Sequence, residues 1–482
     1  MEASLERIGT QIDRDLDQHV ANIQSLIRQP SMSTSGGLGI REMAVRLQKA
    51  FAELGCQETA LFDTPGNPVV FGHYDAGAPK TLIVYLMYDT EAVLPEEEWI
   101  SPPLEANLVE LPPFGRCIIG RGAVNSKGPL QAFLNTVAAI HAAGEALPVN
   151  LKFVAEGEEE LGSIHVADVL QDHGASLQAD ALFFPAAGQQ ANGHTTLTLG
   201  SRTAIIFELE VNGERWGRGP SKFEIHAGSR SLVDCPVSHL LEALNCLIAD
   251  NGNRILVEGF YEDVVPPNEE EEELLDRLAA RWDEEAYRAR LGVKAFIDGL
   301  AGRAALRRLI FEPAFNIRGI YGGDSRTGDV NVSKAIIPHR AVCKVGLSLV
   351  PDQNKVDIVE KIRAHLDRNG FADVAMRVRP DYLRDPGAWG QVSVHDDIVV
   401  AMLHTYARYG IDPEIWPRSP GGWPGYLFQH YLGIPFLSGG AGHGGGAHSS
   451  NEYLVVDGHD TVRGLADLEK SYATMLYEYA SL

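Results

Sequence analysis

Four acidic residues lie together where a predicted β-strand ends. The segment FVAEGEEELGS carries Glu156, Glu158, Glu159 and Glu160 directly after an apolar run. Neighbouring carboxylates repel one another, so packing alone does not account for this arrangement. One of them could act as a general base while its neighbour holds a cation. The segment therefore predicts a catalytic site at the end of this strand.

Three further polar residues occupy strand ends or glycine-rich loops, where α/β proteins place their ligand sites. Asp89 ends the run LIVYLMYD, Asn125 lies in GRGAVNSKG, and His448 lies in GGGAHSSNEY. Each also has a plain structural interpretation. Asp89 could cap a turn or helix, Asn125 could belong to a loop beside a helix start, and His448 could be a surface residue.

The elements that must position these residues alternate along the chain. Helical spacing at 5–27 and 40–54 is followed by a β-rich run at 81–87. A helix opened by a proline at 129–143 then precedes the strand pattern at 150–155. Strands separated by helices of this length predict an α/β fold around a largely parallel sheet.

The pattern changes near residue 202, where long alternating segments and a polar stretch replace the compact α/β pattern. Residues 202–382 predict a compact α+β domain inserted into the first one. Residues 1–201 and 383–482 then form the two parts of the α/β domain. The candidate residues of both of these parts would meet in one catalytic domain.

Composition limits the partners and the location that we expect. The chain has 65 acidic and 41 basic residues, and its net charge of −24 repels phosphate backbones and anionic lipids. Neither a nucleic acid nor a membrane is therefore expected as a partner. The first 20 residues lack the apolar core of a signal peptide, and the five cysteines form no CxxC pair. These features predict a cytoplasmic protein that acts on a small molecule.

In their order along the chain, these segments resemble metallopeptidase family 20 of clan MH. That family includes aminoacylase, acetylornithine deacetylase, carboxypeptidase G and the carnosinase-type dipeptidases, and the likeness is nearest to the last branch. Further matching segments are RQPSMS, FEIHAGSRSL, NRILVEGFYEDVVPP, FNIRGIYGG, LSLVPDQ and GGWPGYLF. The resemblance implies a zinc-peptidase-like catalytic domain with an inserted lid, a homodimer formed through that lid, and hydrolysis of a C–N bond.

Four positions match the residues that the family uses. The resemblance makes Glu159 the general base, and it makes Glu160 and His448 ligands of one metal ion. It also makes His226 the lid histidine, which reaches into the active site of the other subunit and polarises the scissile carbonyl.

Four other positions depart from the family pattern. Met87 replaces the first histidine ligand, and Asn125 replaces the aspartate that bridges two metal ions. Ala186 replaces the acid that completes the first metal site. Ser348 replaces the lid arginine that grips the carboxylate of a peptide, which argues against ordinary dipeptidase activity.

These departures predict at most one loosely held divalent ion, zinc or manganese. A neutral asparagine cannot balance two dications about 3.5–4 Å apart, so a two-metal site is not expected. Glu160 and His448 remain as good ligands, with Asn125 and Asp89 as weaker ones. Catalytic zinc sites normally use three protein ligands, so a metal-free site stays open as well.

Two classes of function therefore stay open. The first is an amidohydrolase that acts on a C–N bond of a small substrate that is not a standard peptide, with Trp423 as an aromatic wall. The alternative is a metal-independent lyase or isomerase in which Glu159, His226 and His448 move protons, or a binding protein without catalysis. Arg318 and Arg326 could hold an anionic group in place of the missing lid arginine.

Overall fold

The computed structural model describes residues 1–324, 334–383, 389–419, 421–459 and 461–482; Arg326 lies outside them. The chain divides into two compact units. The first unit comprises Met1–Gly200, Gly390–Pro417 and Trp423–Leu482. The inserted unit comprises Ser201–Trp389 and Arg418–Gly422.

The longer elements of both units are numbered here in chain order. Helices of eight or more residues are α1 (Glu2–Arg28), α2 (Ile40–Glu53), α3 (Lys127–Ala142), α4 (Val166–His173), α5 (Pro236–Leu247), α6 (Glu269–Arg281), α7 (Glu284–Leu291), α8 (Gly302–Phe311), α9 (Lys355–Arg368), α10 (Asp397–Arg408), α11 (Gly425–Leu432) and α12 (Leu465–Ser481). Strands of three or more residues are β1 (Glu58–Phe62), β2 (Val69–Tyr74), β3 (Thr81–Met87), β4 (Asn107–Glu110), β5 (Arg116–Ile119), β6 (Asn150–Glu156), β7 (Ala181–Pro185), β8 (Thr196–Thr198), β9 (Thr203–Asn212), β10 (Ala314–Gly322), β11 (Arg340–Leu349), β12 (Ala375–Val378), β13 (Glu414–Trp416), β14 (Phe436–Gly439) and β15 (Tyr453–Val455).

A six-stranded mixed sheet forms the centre of the first unit, in the order β1-β2-β6-β3-β7-β14. The four strands β6, β3, β7 and β14 are parallel, as the sequence predicts, and β1 and β2 add an antiparallel edge. Met87 pairs opposite Glu156. The carboxyl ends of β3 and β6 therefore meet at one edge of the sheet, where ligands bind in such folds.

Helices from both ends of the chain close this unit. The first and last helices, α1 and α12, pack against each other and against α3. Between them, His19 Nδ1 lies 2.6 Å from Glu469 Oε2, and Asn135 Nδ2 donates to Glu469 Oε1 at 3.0 Å. All three side chains are buried. This polar cluster fixes the three helices relative to one another.

A small antiparallel sheet brings two loops of the first unit together. Its order is the bridge strand Gly444–Gly445, β15, β5 and β4. The loop after β5 carries Asn125, and the glycine-rich loop before β15 carries His448. Because β5 and β15 are paired, the two loops leave the same end of this sheet.

The inserted unit contains a four-stranded antiparallel sheet, in the order β10-β11-β9-β12. Helices α5 and α9 pack together, and α5 covers one face of the sheet. Buried residues between them include Phe207, Leu244, Val345 and Ile358. This arrangement confirms the α+β character that the sequence predicts for the insertion. In the described part of the chain, no helix is both long and apolar enough to cross a membrane.

Candidate active site

Asp89 holds the turn that carries two of the predicted catalytic carboxylates. Its side chain is fully buried. Asp89 Oδ1 accepts from the backbone N–H of Glu159 at 3.2 Å, and Oδ2 accepts from that of Glu160 at 3.1 Å. Ser33 Oγ also donates to Oδ2 at 2.7 Å. Burial raises the pKa of Asp89 to about 7, although these hydrogen bonds act in the opposite direction. Asp89 therefore positions the turn.

Glu159 begins a short 3₁₀ turn, Glu159–Leu161, three residues after β6 ends. Burial raises the pKa of Glu159 to about 8, and the negative charges of Glu160 and Asp89 act in the same direction. A carboxyl group with a pKa near the working pH exchanges a proton readily in both directions. The arrangement can therefore supply a general base.

Asn125, Glu160 and His448 form a hydrogen-bonded group next to this turn. Asn125 Nδ2 donates to Glu160 Oε1 at 2.8 Å and lies 2.9 Å from His448 Nε2. His448 Nε2 in turn lies 3.1 Å from Glu160 Oε2. Glu160 is almost fully buried, whereas the imidazole of His448 is 57% exposed. The hydrogen bond and charge of Glu160 raise the pKa of His448. The structure thus brings together three residues that the sequence singles out.

The loop of Asn125 is held by a carboxylate that the sequence reasoning missed. Glu452 is buried, and its two oxygens accept from the backbone N–H groups of Gly122, Val124 and Asn125 at 2.8–2.9 Å. Arg121 Nη1 lies 3.3 Å from the same carboxylate. The acidic residue four positions after His448 was the only sign of this role in the sequence.

Glu156, at the end of β6, lies among aromatic and hydroxyl side chains. It accepts from the hydroxyl of Tyr85 and, at 2.9 Å, from Ser163 Oγ. Burial raises the pKa of Glu156 well above its usual value. The ring of Trp423 packs 5.9 Å from that of Tyr85 and 5.3 Å from that of Phe184, measured between centroids. Trp423 is therefore part of a packed cluster, and its predicted contact with substrate stays a prediction.

The predicted residues of the inserted unit lie on its surface or its sheet. His226 is exposed, and its Nδ1 accepts from the backbone N–H of Gly228 at 3.1 Å. Arg318 is exposed on β10, and Ser348 is half-buried on β11. Their predicted roles toward substrate stay predictions.

The side chains present do not fit a two-metal centre. Met87 is buried at the end of β3, and Ala186 follows β7, so neither supplies the imidazole or carboxylate that the resemblance implies at its position. The amide nitrogen of Asn125 lies between Glu160 and His448 and presents hydrogens, which repel a cation. No group of three or more His, Cys, Asp and Glu side chains in the described residues is placed to hold a metal ion.

Comparison with known proteins agrees with this fold. Residues 85–475 match the family described as Peptidase family M20/M25/M40. The Cys-Gly metallodipeptidase DUG1 of Saccharomyces cerevisiae is 26% identical over 477 residues, which are 95% of each chain. The human Beta-Ala-His dipeptidase is 26% identical over 383 residues, covering 76% of this chain and 72% of that protein.

A solved structure agrees with the same family and fold. An M20 family metallo-carboxypeptidase of Sulfolobus solfataricus, Sso-CP2, superposes with a TM-score of 0.84 at 30% sequence identity, covering 96% of this chain and 99% of that one. The family match covers most of the chain and confirms the predicted resemblance and the α/β fold class. The chain therefore belongs to peptidase family M20/M25/M40, whose members hydrolyse C–N bonds.

Proposed function

We propose that this protein hydrolyses a C–N bond of a small, peptide-like substrate, with Glu159 as the general base. The position of Glu159 carries the proposal. Asp89 fixes its turn through two backbone hydrogen bonds, and Glu160 lies beside it in the hydrogen-bonded group of Asn125 and His448. The named relatives, a Cys-Gly metallodipeptidase and a Beta-Ala-His dipeptidase, support the reaction class.

In this proposal, Glu159 accepts a proton from the attacking water and returns it to the leaving nitrogen. General acid–base catalysis of this kind contributes about 10²–10⁴-fold to the rate. His226 of the partner subunit stabilises the oxyanion that forms on the carbonyl. This role requires a homodimer formed through the inserted unit, which is part of the proposal, as is a cytoplasmic location.

The proposal includes at most one divalent ion per chain, and it assigns no catalytic step to that ion. Glu160 and His448 remain as metal ligands. A catalytic zinc site normally uses three protein ligands, so these two are too few. Ser348 provides no positive charge for a peptide carboxylate, so the substrate differs from a standard dipeptide at that end.

The hydrogen bonds of Asn125 favour a second candidate, a metal-independent lyase or isomerase. Glu160 and His448 are satisfied by one another and by Asn125, so Glu159 can move a proton to or from carbon without a metal ion. The residues in this candidate are the same, but the substrate is a carbon acid.

Isotope labelling distinguishes the two candidates. A panel of dipeptides, N-acyl amino acids and arylamides is incubated with the protein in water labelled with oxygen-18 and, separately, in deuterated water. Hydrolysis places one oxygen-18 atom in the acid product, and Glu159→Gln abolishes that product. Deuterium on a substrate carbon without oxygen-18 in the product overturns hydrolysis in favour of the second candidate.

A further inference from the structure

One face of the sheet in the inserted unit is free of covering helices in the described part of the chain. Alternate residues of β9 and β11 are buried on the other face, beneath α5. On the free face, Glu208 pairs opposite Lys344, and Ile206 pairs opposite Gly346. Apart from Val342, which is buried, the side chains of β9 and β11 on this face are exposed or half-buried.

A cavity of about 620 Å³ opens on this face. Its lining includes four cationic side chains, those of Arg318, Lys344, Arg377 and Arg379, together with Glu208 and Tyr321. The whole chain carries a net charge of −24, so the excess of positive side chains in this cavity is opposite in sign to the charge of the chain. Such a concentration of charge attracts anions.

Local backbone structure places Arg318 over the centre of this face. The register between β10 and β11 shifts between Ile317 and Gly319, which gives Arg318 the extra position of a bulge. A Cβ atom on Gly346 would lie 3.0 Å from Arg318 Cδ and 3.5 Å from its Cγ. The glycine therefore leaves the space in which the side chain of Arg318 crosses β11.

The cations of the cavity differ in how far they are already neutralised. Arg377 is paired with Glu210 and lies 3.8 Å from Glu208. Among the described residues, no carboxylate oxygen lies within 4.0 Å of the charged nitrogens of Arg318 or Lys344. Lys344 Nζ instead lies 5.9 Å from the centre of the Tyr321 ring. Two positive charges therefore face the cavity without a counter-ion from these residues.

We propose that this cavity binds the oxyanion of a small molecule, a carboxylate or a phosphate. The planar guanidinium of Arg318 presents two parallel N–H groups, which match the two oxygens of such a group. Lys344 adds a point charge from the neighbouring strand. If this anion is the charged end of the substrate, that part of the inference rests on the proposed function; anion binding itself does not.

Calorimetric titration of the full chain tests the site directly. Inorganic phosphate and succinate are titrated separately at low ionic strength, with sodium chloride as the control for general screening. We expect one saturable site per chain, and the tighter of the two probes identifies phosphate or carboxylate as the preferred group. Arg318→Gln should weaken that probe about tenfold or more, because it removes a charged, two-point contact.

Two further variants distinguish anion binding at this site from attraction by the overall electrostatic field of the protein. Arg277→Gln removes the same charge from an exposed position on α6 and should leave the affinity unchanged. Gly346→Val keeps the charge of Arg318 but displaces its side chain, so it should weaken binding as Arg318→Gln does. Thermal unfolding of each variant shows that the fold is retained.

The inference is overturned if the wild-type chain binds neither probe saturably, or if Arg318→Gln and Arg277→Gln weaken binding equally. Glu159→Gln should bind the anion as the wild type does, although its kcat is strongly lowered under the proposed function. Failure of anion binding and failure of the hydrolase assignment are therefore seen in different measurements.

Discussion

The amide nitrogen of Asn125 donates to Glu160 Oε1 at 2.8 Å and so occupies the side of that carboxylate that faces His448. A neutral hydrogen-bond donor there satisfies the buried charge that a cation would otherwise balance. An amide at residue 125, where the resemblance implies a carboxylate, therefore changes what Glu160 can bind.

An acid placed at residue 125 should raise the affinity for metal. Asn125→Asp removes the two amide hydrogens and adds a carboxylate as a third ligand beside Glu160 and the imidazole of His448, so we expect zinc to bind at least about tenfold more tightly. Competition with a chromogenic chelator measures the affinity, and mass spectrometry of the purified protein measures the zinc content. Asn125→Ala is the matched control, because it removes the donor without adding a charge. Equal zinc affinity in the two variants would contradict this explanation.

Replacement of Glu159 should separate catalysis from stability. Glu159→Gln should lower kcat by about 10²–10⁴-fold without a large loss of stability, since it removes the base but keeps the shape. The matched control is the neighbouring Glu158→Gln. Glu158 accepts from the backbone N–H of Asn67 at 2.9 Å and lies 2.7 Å from His165 Nδ1, so its replacement should destabilise the fold and largely preserve kcat. Steady-state kinetics and urea denaturation of both variants measure the contrast.

The raised pKa of Glu159 predicts opposite pH trends for activity and stability. Folded Glu159 holds its proton up to about pH 8, whereas a glutamate in the unfolded chain ionises near pH 4.5. Its contribution to the free energy of unfolding is therefore fully present below about pH 4.5 and is lost as the pH rises through about 8. Only the carboxylate accepts a proton, so kcat/KM should rise with pH and level off above about 8. A rate plateau reached by about pH 6 would disagree with this assignment, and Glu159→Gln should show a shallower loss of stability.

Mixed dimers can test the role that we propose for His226. His226→Ala and Glu159→Gln should each be inactive as pure dimers. In a mixed dimer, one active site combines an intact Glu159 with the partner subunit's intact His226, so equal mixing should recover about a quarter of wild-type activity. Activity is measured after subunit exchange, and the oligomeric state is measured by analytical ultracentrifugation. A monomeric protein, or a mixture without recovered activity, would rule out this role.

The buried pair of His19 on α1 and Glu469 on α12 is outside the candidate active site. We expect its loss to lower the stability of the fold strongly. Glu469→Ala leaves the imidazole of His19 and the amide of Asn135 without their shared acceptor, which should cost about 2–4 kcal/mol. The comparison is Glu53→Ala, which breaks the exposed pair of Lys49 and Glu53 on α2 and should hardly move the unfolding midpoint. Urea denaturation followed by circular dichroism measures both. Similar midpoints for the two variants would show that the buried pair contributes little.

The sequence predicts well those parts of the site that depend on local pattern. The continuous apolar run of β3 and the strand before Glu156 indicate parallel neighbours, and this topology alone places Asp89 and Glu159 at the same sheet edge. The role of Glu452 could not be predicted in the same way. Its three backbone donors lie more than 300 residues earlier in the chain, and only the pairing of β5 with β15 brings them together.

The packing around Trp423 also escaped prediction, for a related reason. A tryptophan in a glycine-rich loop is compatible with an open aromatic wall or with a buried cluster, because the local pattern is the same in both. Its rings contact Tyr85 and Phe184, which belong to two strands more than 200 residues away. Which of these two arrangements forms depends on long-range contacts, and the spacing of residues along the chain does not show those contacts.

The way in which the first unit is closed also determines the order in which a newly made chain can fold. Strands β9 to β12 lie within residues 203–378, so the four-stranded sheet of the inserted unit is available while synthesis is still in progress. The first unit still lacks β14, which pairs with β7, and α12, which packs on α1. On the ribosome, the sheet of the insertion can therefore form before the sheet of the first unit is complete. The apolar edge of β7 must be protected from other chains until residue 439 has emerged.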